Sequence, residues 1–148
     1  MTNRTTLSPE QKEQTRHGGH LFPFQKYITV LSDLYPAVTP HWHDEAELTL
    51  IKKGSCTYQI RFETCEAEQG DLLFVPPAAL HSLTIPPKSR YESETYVFHM
   101  SFLGANSADI CAVRYLAPVA AQSLLLPCHI RKGHPAHPEL MEIFHSIN

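Results

Sequence analysis

Three histidines and one glutamate carry the densest chemistry in this chain. His41, His43 and Glu47 lie in the run Pro40-His41-Trp42-His43-Asp44-Glu45-Ala46-Glu47, and His81 follows Pro76-Pro77-Ala78-Ala79-Leu80. Successive side chains of a β-strand point to opposite faces, so an extended run puts positions 41, 43 and 47 on one face. Three imidazoles and a carboxylate inside a barrel suit zinc, nickel, iron or manganese. The alternative is a metal-free cluster, its imidazoles hydrogen-bonded to one another or to a bound molecule. A neutral imidazole aims one nitrogen inward while a partner holds the other. Asp44 and Glu45 are candidates for that support, or plain exposed loop acids.

Other chemistry is sparse. There is no glycine-rich phosphate loop and no Gly-x-Ser-x-Gly elbow. His134 and His137 are split by Pro135 and read as a linker. The remaining histidines outside the strands, His17, His20, His129 and His145, read as surface groups.

The elements that must position the cluster are strands. Lys26 to Ser32, Ala46 to Lys52, Cys56 to Phe62, Asp71 to Val75, His81 to Ile85 and Thr95 to Leu103 are β-like runs. Turn signals at Lys53-Gly54, Gln69-Gly70-Asp71, Pro76-Pro77 and Pro86-Pro87-Lys88 punctuate them at the spacing of a sandwich or barrel. Tyr58, Ile60 and Phe62 share one face and are expected to fill the interior, with Tyr58 able to offer its hydroxyl to a ligand. His99, between Phe98 and Met100, is a fifth pocket candidate if its ring points inward. Trp42 faces away from the histidines by strand parity and reads as packing.

Residues 1–20 form a polar lead-in, expected to be flexible. Residues 21–104 form the β-domain, and residues 105–148 a helical segment. Ser107 is a candidate N-cap for a helix with Ile110, Val113 and Leu116 on one face, ended by Pro118. A second helix starts at Pro138, with Leu140, Met141 and Phe144 as its apolar stripe. That stripe is assigned to a dimer or interdomain contact, against the alternative of packing on this chain's own sheet. The chain stops inside this amphipathic stretch without a capping signal, as expected at a domain boundary.

The bulk properties fit one globular domain of 148 residues with net charge −3. No basic face marks a nucleic-acid partner, and no apolar run is long enough for a bilayer. No secretory signal precedes Gln14, so the cytoplasm is the default location. The four cysteines, at 56, 65, 111 and 128, form no Cys-x-x-Cys pair and read as free thiols.

These residues resemble the cupin superfamily. Its first motif matches His41, His43, Glu47 and Gly54 in spacing, and its second matches Gly70, Pro76 and His81. Three framework positions depart from it: Tyr35 and Ala78 stand where the family has glycine, and Ile85 where it has asparagine. The strings Pro40 to Glu45 and Gly70 to Pro77, with the helical tail, resemble the N-terminal cupin of AraC-type transcription regulators. That likeness spans roughly residues 21–148.

The resemblance implies an all-β cupin fold, a double-stranded β-helix or jelly-roll barrel, with one or two C-terminal helices. It implies an effector site for a sugar or similar polar metabolite, lined by His41, His43, Glu47, Tyr58, His81 and His99, with His41, His43, Glu47 and His81 holding any divalent metal. It further implies a homodimer, and DNA contact only through a helix-turn-helix domain outside these 148 residues. A stand-alone metal-dependent cupin enzyme, an isomerase or dioxygenase, is the competing expectation.

Overall fold

The computed structural model describes residues 7–19, 21–104 and 108–147. The expected Ser107 cap and the side chain of His20 lie outside them. Two antiparallel sheets carry the fold. The five-stranded sheet has the order β1-β8-β3-β6-β9, and the four-stranded sheet the order β2-β7-β4-β5. The strands are β1 (Phe24–Leu31), β2 (Ala37–His41), β3 (Ala46–Lys53), β4 (Ser55–Ile60), β5 (Glu63–Glu68), β6 (Leu72–Val75), β7 (His81–Thr84), β8 (Tyr91–Phe98) and β9 (His129–Ile130). Each strand run read from the sequence is present, with shifted ends.

Period-two alternation separates two cores. Ile51 and Leu73 point between the sheets, joining Leu31, Ile60, Tyr58 and Tyr91. Their neighbours Leu50 and Leu72 point to the outer face of the five-stranded sheet, joining Tyr96, Ile130 and Phe144. The β3–β4 turn depends on Gly54. Its φ is +79°, and a Cβ there would sit 2.2 Å from the Arg90 carbonyl oxygen, so no other residue fits without moving β8.

Several expectations need correction. Phe62 leaves the strand face of Tyr58 and Ile60: β4 ends at Ile60, and Phe62 is exposed in the following turn. The strand read as Thr95 to Leu103 is β8, which begins at Tyr91 and ends at Phe98; a short 3-10 turn, Met100–Leu103, follows it. Helical backbone runs from 110 to 120 straight through Pro118, its last turn being α1 (Ala117–Ala120). A π-helical turn over Ala112–Leu116 widens the coil just before the proline, which relieves the ring's conflict with the preceding turn. That widening also rotates the faces. Ala112 and Val119 are buried, while Ile110 and Val113, expected inside, face solvent.

The last helix, α2 (His137–Ser146), has Pro at its start as anticipated. Its apolar stripe packs on this chain's own sheet. Phe144 is fully buried against this chain's own sheet, its ring centroid 4.8 Å from that of Tyr96. Leu140 and Met141 pack on the same cluster. Sheet packing wins because Leu50, Leu72 and Ile130 leave an apolar surface on that face which must be covered.

Within the lead-in, residues 7–19 make specific contacts with the β-domain. Pro9–Gln11 forms a 3-10 turn, Lys12 bridges to Trp42 in parallel fashion, and the Trp42 indole N–H donates to the Ser8 carbonyl at 2.8 Å. The Lys12 ammonium adds a 3.0 Å ion pair with Asp44. Trp42 therefore faces this segment and away from the pocket. All four cysteines are free thiols.

Candidate functional site

The four cluster residues come from both sheets, not from one strand. His41 ends β2 and pairs in register with His81, the first residue of β7, across the four-stranded sheet. The chain then crosses to the five-stranded sheet. His43 lies in that crossing, and Glu47 is the second residue of β3. The His41 and His81 ring centroids are 4.2 Å apart, and those of His43 and His81 5.1 Å.

Backbone carbonyls set the orientation of all three imidazoles. His41 Nδ1–H donates to Thr39 O at 2.9 Å, His43 Nδ1–H to Glu45 O at 3.1 Å, and His81 Nδ1–H to Ala79 O at 2.8 Å. A carbonyl only accepts, so each Nδ1 must carry the proton, and each Nε2 is turned toward the cluster. Glu45 thus supports His43 through its main chain, while Asp44 is an exposed acid paired with Lys12.

At the centre, His43 Nε2 lies 2.8 Å from Glu47 Oε1. That hydrogen bond requires both ring nitrogens to be protonated; a bound cation would take the place of the inner proton. Burial opposes charge on His43, but the hydrogen bond and charge of Glu47 outweigh it and raise the imidazole above its ordinary value. Burial would likewise raise the Glu47 carboxyl, yet His43 and His81 hold it well below the usual carboxylate range. Burial, and then the charge of the facing His81, lower His41. His81 Nε2 is 3.5 Å from Glu47 Oε1, too long for a hydrogen bond, and it is buried without a partner.

The four donor atoms lie within 4.8 Å of one another. Three imidazole nitrogens, one of them the buried and unsatisfied His81 Nε2, and an ionised carboxylate together fit a divalent transition metal.

These groups form one end of a half-open cavity of about 180 Å³ between the sheets. Its walls carry hydroxyls from Thr49, Tyr58, Tyr91, Ser93 and Thr95, with Val38, Leu83 and Val97 as apolar surface. The Tyr91 hydroxyl is buried, with Ser93 and Cys56 as its polar neighbours and no hydrogen bond of good geometry. No Lys or Arg lines the cavity among the described residues.

His41, Glu47, Tyr58 and His81 line it, and His43 completes the cluster. His99 is not brought to it. That residue follows the end of β8 and caps the 3-10 turn, its Nδ1 2.7 Å from Ser101 Oγ.

Sequence reasoning missed two kinds of lining residue. Tyr91, Ser93 and Thr95 alternate along β8, so a run of hydroxyls at period two was the available signal. Glu13 and His17 offer no such signal. His17, read as surface, is 5% exposed and lies against His43. His129 is likewise drawn in from the surface, 2.8 Å from the buried Asp71 carboxylate.

Pro76 to His81 forms the turn that serves the cluster. Ala78 N–H donates to His43 O at 2.8 Å, and Ala79 O holds the His81 ring. Ala78 has φ +58°, in the left-handed region where the cupin motif places glycine. Relief of that strain, less the added unfolded-chain freedom of glycine, should make Ala78→Gly more stable by about 0.5–1 kcal/mol. Urea denaturation checks this, and a loss of stability would refute it.

Two antiparallel sheets packed around a pocket, with clustered metal-type donors at one end, define a cupin double-stranded β-helix. Within that class the chain belongs to the AraC-like ligand binding domain family, which it matches over residues 27–147. It is 38% identical over 71 residues to a Bacillus subtilis (strain 168) protein described as the uncharacterized HTH-type transcriptional regulator YdeC. That match covers 47% of this chain and 24% of the relative, so the chain accounts for about a quarter of the relative's length.

Among solved structures, a cupin-like protein of Thermotoga maritima shares 20% identity, covering 55% of this chain and 62% of its own, with a TM-score of 0.49. An RmlC-like cupin family protein of Methanocaldococcus jannaschii shares 18%, covering 55% and 76%, with a TM-score of 0.46. No helix among the described residues is long and apolar enough to cross a membrane.

Proposed function

We propose that this chain is the effector-sensing domain of a transcription regulator, taking a small, uncharged, hydroxyl-rich metabolite such as a sugar into the barrel. The cavity carries this reading. Its wall hydroxyls exchange hydrogen bonds with a polyol, its apolar residues cover the carbon skeleton, and the lack of a lining Lys or Arg disfavours a free anion. His81 Nε2 and the Tyr91 hydroxyl are buried groups with hydrogen-bonding capacity to spare, which a ligand would satisfy.

A metal held by His41, His43, Glu47 and His81 would supply a Lewis-acidic anchor for a ligand oxygen. The protein's own part is to fix the imidazoles through Thr39, Glu45 and Ala79 and to keep Glu47 ionised. DNA reading belongs, in this proposal, to a helix-turn-helix domain like that named for the relative. A homodimer would use exposed apolar surface such as Ile110 and Val113, not the covered stripe of α2.

A thermal-shift screen of neutral sugars and related polyols tests the proposal. At least one should raise the melting temperature, and His81→Ala should abolish that shift while the variant still unfolds cooperatively. A shift that survives in the variant would take the ligand out of this cavity. Turnover of the compound by metal-loaded protein would favour the enzyme reading instead.

A further inference from the structure

Glu13 and His17 stand at the cavity on the N-terminal segment, outside the four-residue cluster. His17 Nε2 lies 3.0 Å from Glu13 Oε2, and Glu13 Oε2 lies 3.9 Å from His43 Nε2. The His17 ring sits edge-on to that of His43, with centroids 5.2 Å apart. One donor atom from each of Glu13, His17 and His43 falls within 4.8 Å of the other two. His17 is also oriented as a ligand would be. Its Nδ1 is 2.6 Å from the Tyr27 hydroxyl, which can accept as well as donate; with an ion replacing the Nε2 proton now shared with Glu13, an Nδ1–H donated to Tyr27 would free the Nε2 lone pair for it.

We propose that Glu13, His17 and His43 form an outer divalent-cation site, and that an ion in it pins the N-terminal segment over the cavity. Two imidazole nitrogens and one carboxylate suit zinc, nickel or cobalt. His43 Nδ1 is committed to the Glu45 carbonyl, so its Nε2 is the one nitrogen available to both clusters. A ring nitrogen has one lone pair, so the two sites compete and the chain holds one ion at a time through His43.

Two consequences separate the outer site from the inner one. The outer ion is partly solvent-accessible through Glu13, whose side chain is 30% exposed. It also joins two stretches of chain that are otherwise tied mainly around Trp42, by Glu13 N–H to Trp42 O at 2.8 Å and Trp42 N–H to Gln11 O at 3.0 Å. Cation binding in the outer site therefore slows opening of residues 8–19, whereas binding confined to the inner four donors leaves that opening unchanged.

The test is hydrogen–deuterium exchange of the whole chain with Co(II) alone as the probe. At Co(II) tenfold above its dissociation constant, amides of residues 8–19 should exchange about tenfold more slowly in the wild type. Glu13→Gln/His17→Gln should lose this slowing. Glu13→Gln alone, which keeps the His17–Tyr27 contact, should lose most of it, so a baseline change in the double variant does not decide the matter. Each variant is referenced to its own rate without Co(II). Equal slowing in wild type and both variants, or none in the wild type, overturns the proposal. The effector screen reads the inner cavity by a different signal, so failure of one proposal is distinguishable from failure of the other.

Discussion

Phe144→Ala should destabilise the domain by about 3–5 kcal/mol in urea or thermal unfolding, as expected for truncating a fully buried aromatic side chain. Phe144 is 0% exposed, and its ring packs on Tyr96 with Leu50, Leu72 and Ile130 around it. The cavity left behind is lined by strand residues held in a ladder, so the site collapses poorly. The loss should appear at every protein concentration, because the contact lies within one chain. A helix that docked on a partner would behave differently: Phe144→Ala would leave the isolated domain's stability within about 0.5 kcal/mol of wild type, as for other surface changes. That result would refute the packing described here. Ile143→Ala, on the exposed side of α2, is the matched control.

Glu47→Gln should weaken binding of a divalent cation such as Zn(II) at least roughly 100-fold, more than is usual for loss of a supporting partner to a ligand. The substitution keeps the side chain's shape and removes its charge. Glu47 is the sole carboxylate in the inner donor set, and His43 and His81 hold it ionised despite its burial. The neutral amide supplies a poorer donor oxygen and no countercharge. Isothermal titration of both proteins measures the ratio. An unchanged affinity would exclude Glu47 as a ligand, and no binding by the wild type would exclude the four-residue centre altogether.

The spacing of His41, His43, Glu47 and His81 was legible because a motif records which residues meet, even where it hides how. Strand parity placed 41, 43 and 47 on one face. The structure reaches the same convergence by crossing between sheets at residues 42–45. β2 was hidden by Pro40 within Ala37–His41, and β5 by three glutamates in Glu63–Glu68. β2 is specified by β7, a partner distant in sequence, and β5 by its hairpin partner β4, so neither shows in its own local pattern. His17 was illegible for a related reason. Its burial comes from Tyr27 and His43, contacts that no local pattern encodes.

Strand β8 has one further consequence. Thr95 and Val97 face the cavity, and Tyr96 between them faces outward onto Phe144. β3 repeats the arrangement, with Glu47 and Thr49 inside and Leu50 in the cluster beneath α2. The partition between the ligand chamber and the terminal helix is thus a single layer of backbone. In a diaphragm of this kind, a push on the cavity side would reach the helix side directly, with no intervening layer to absorb it.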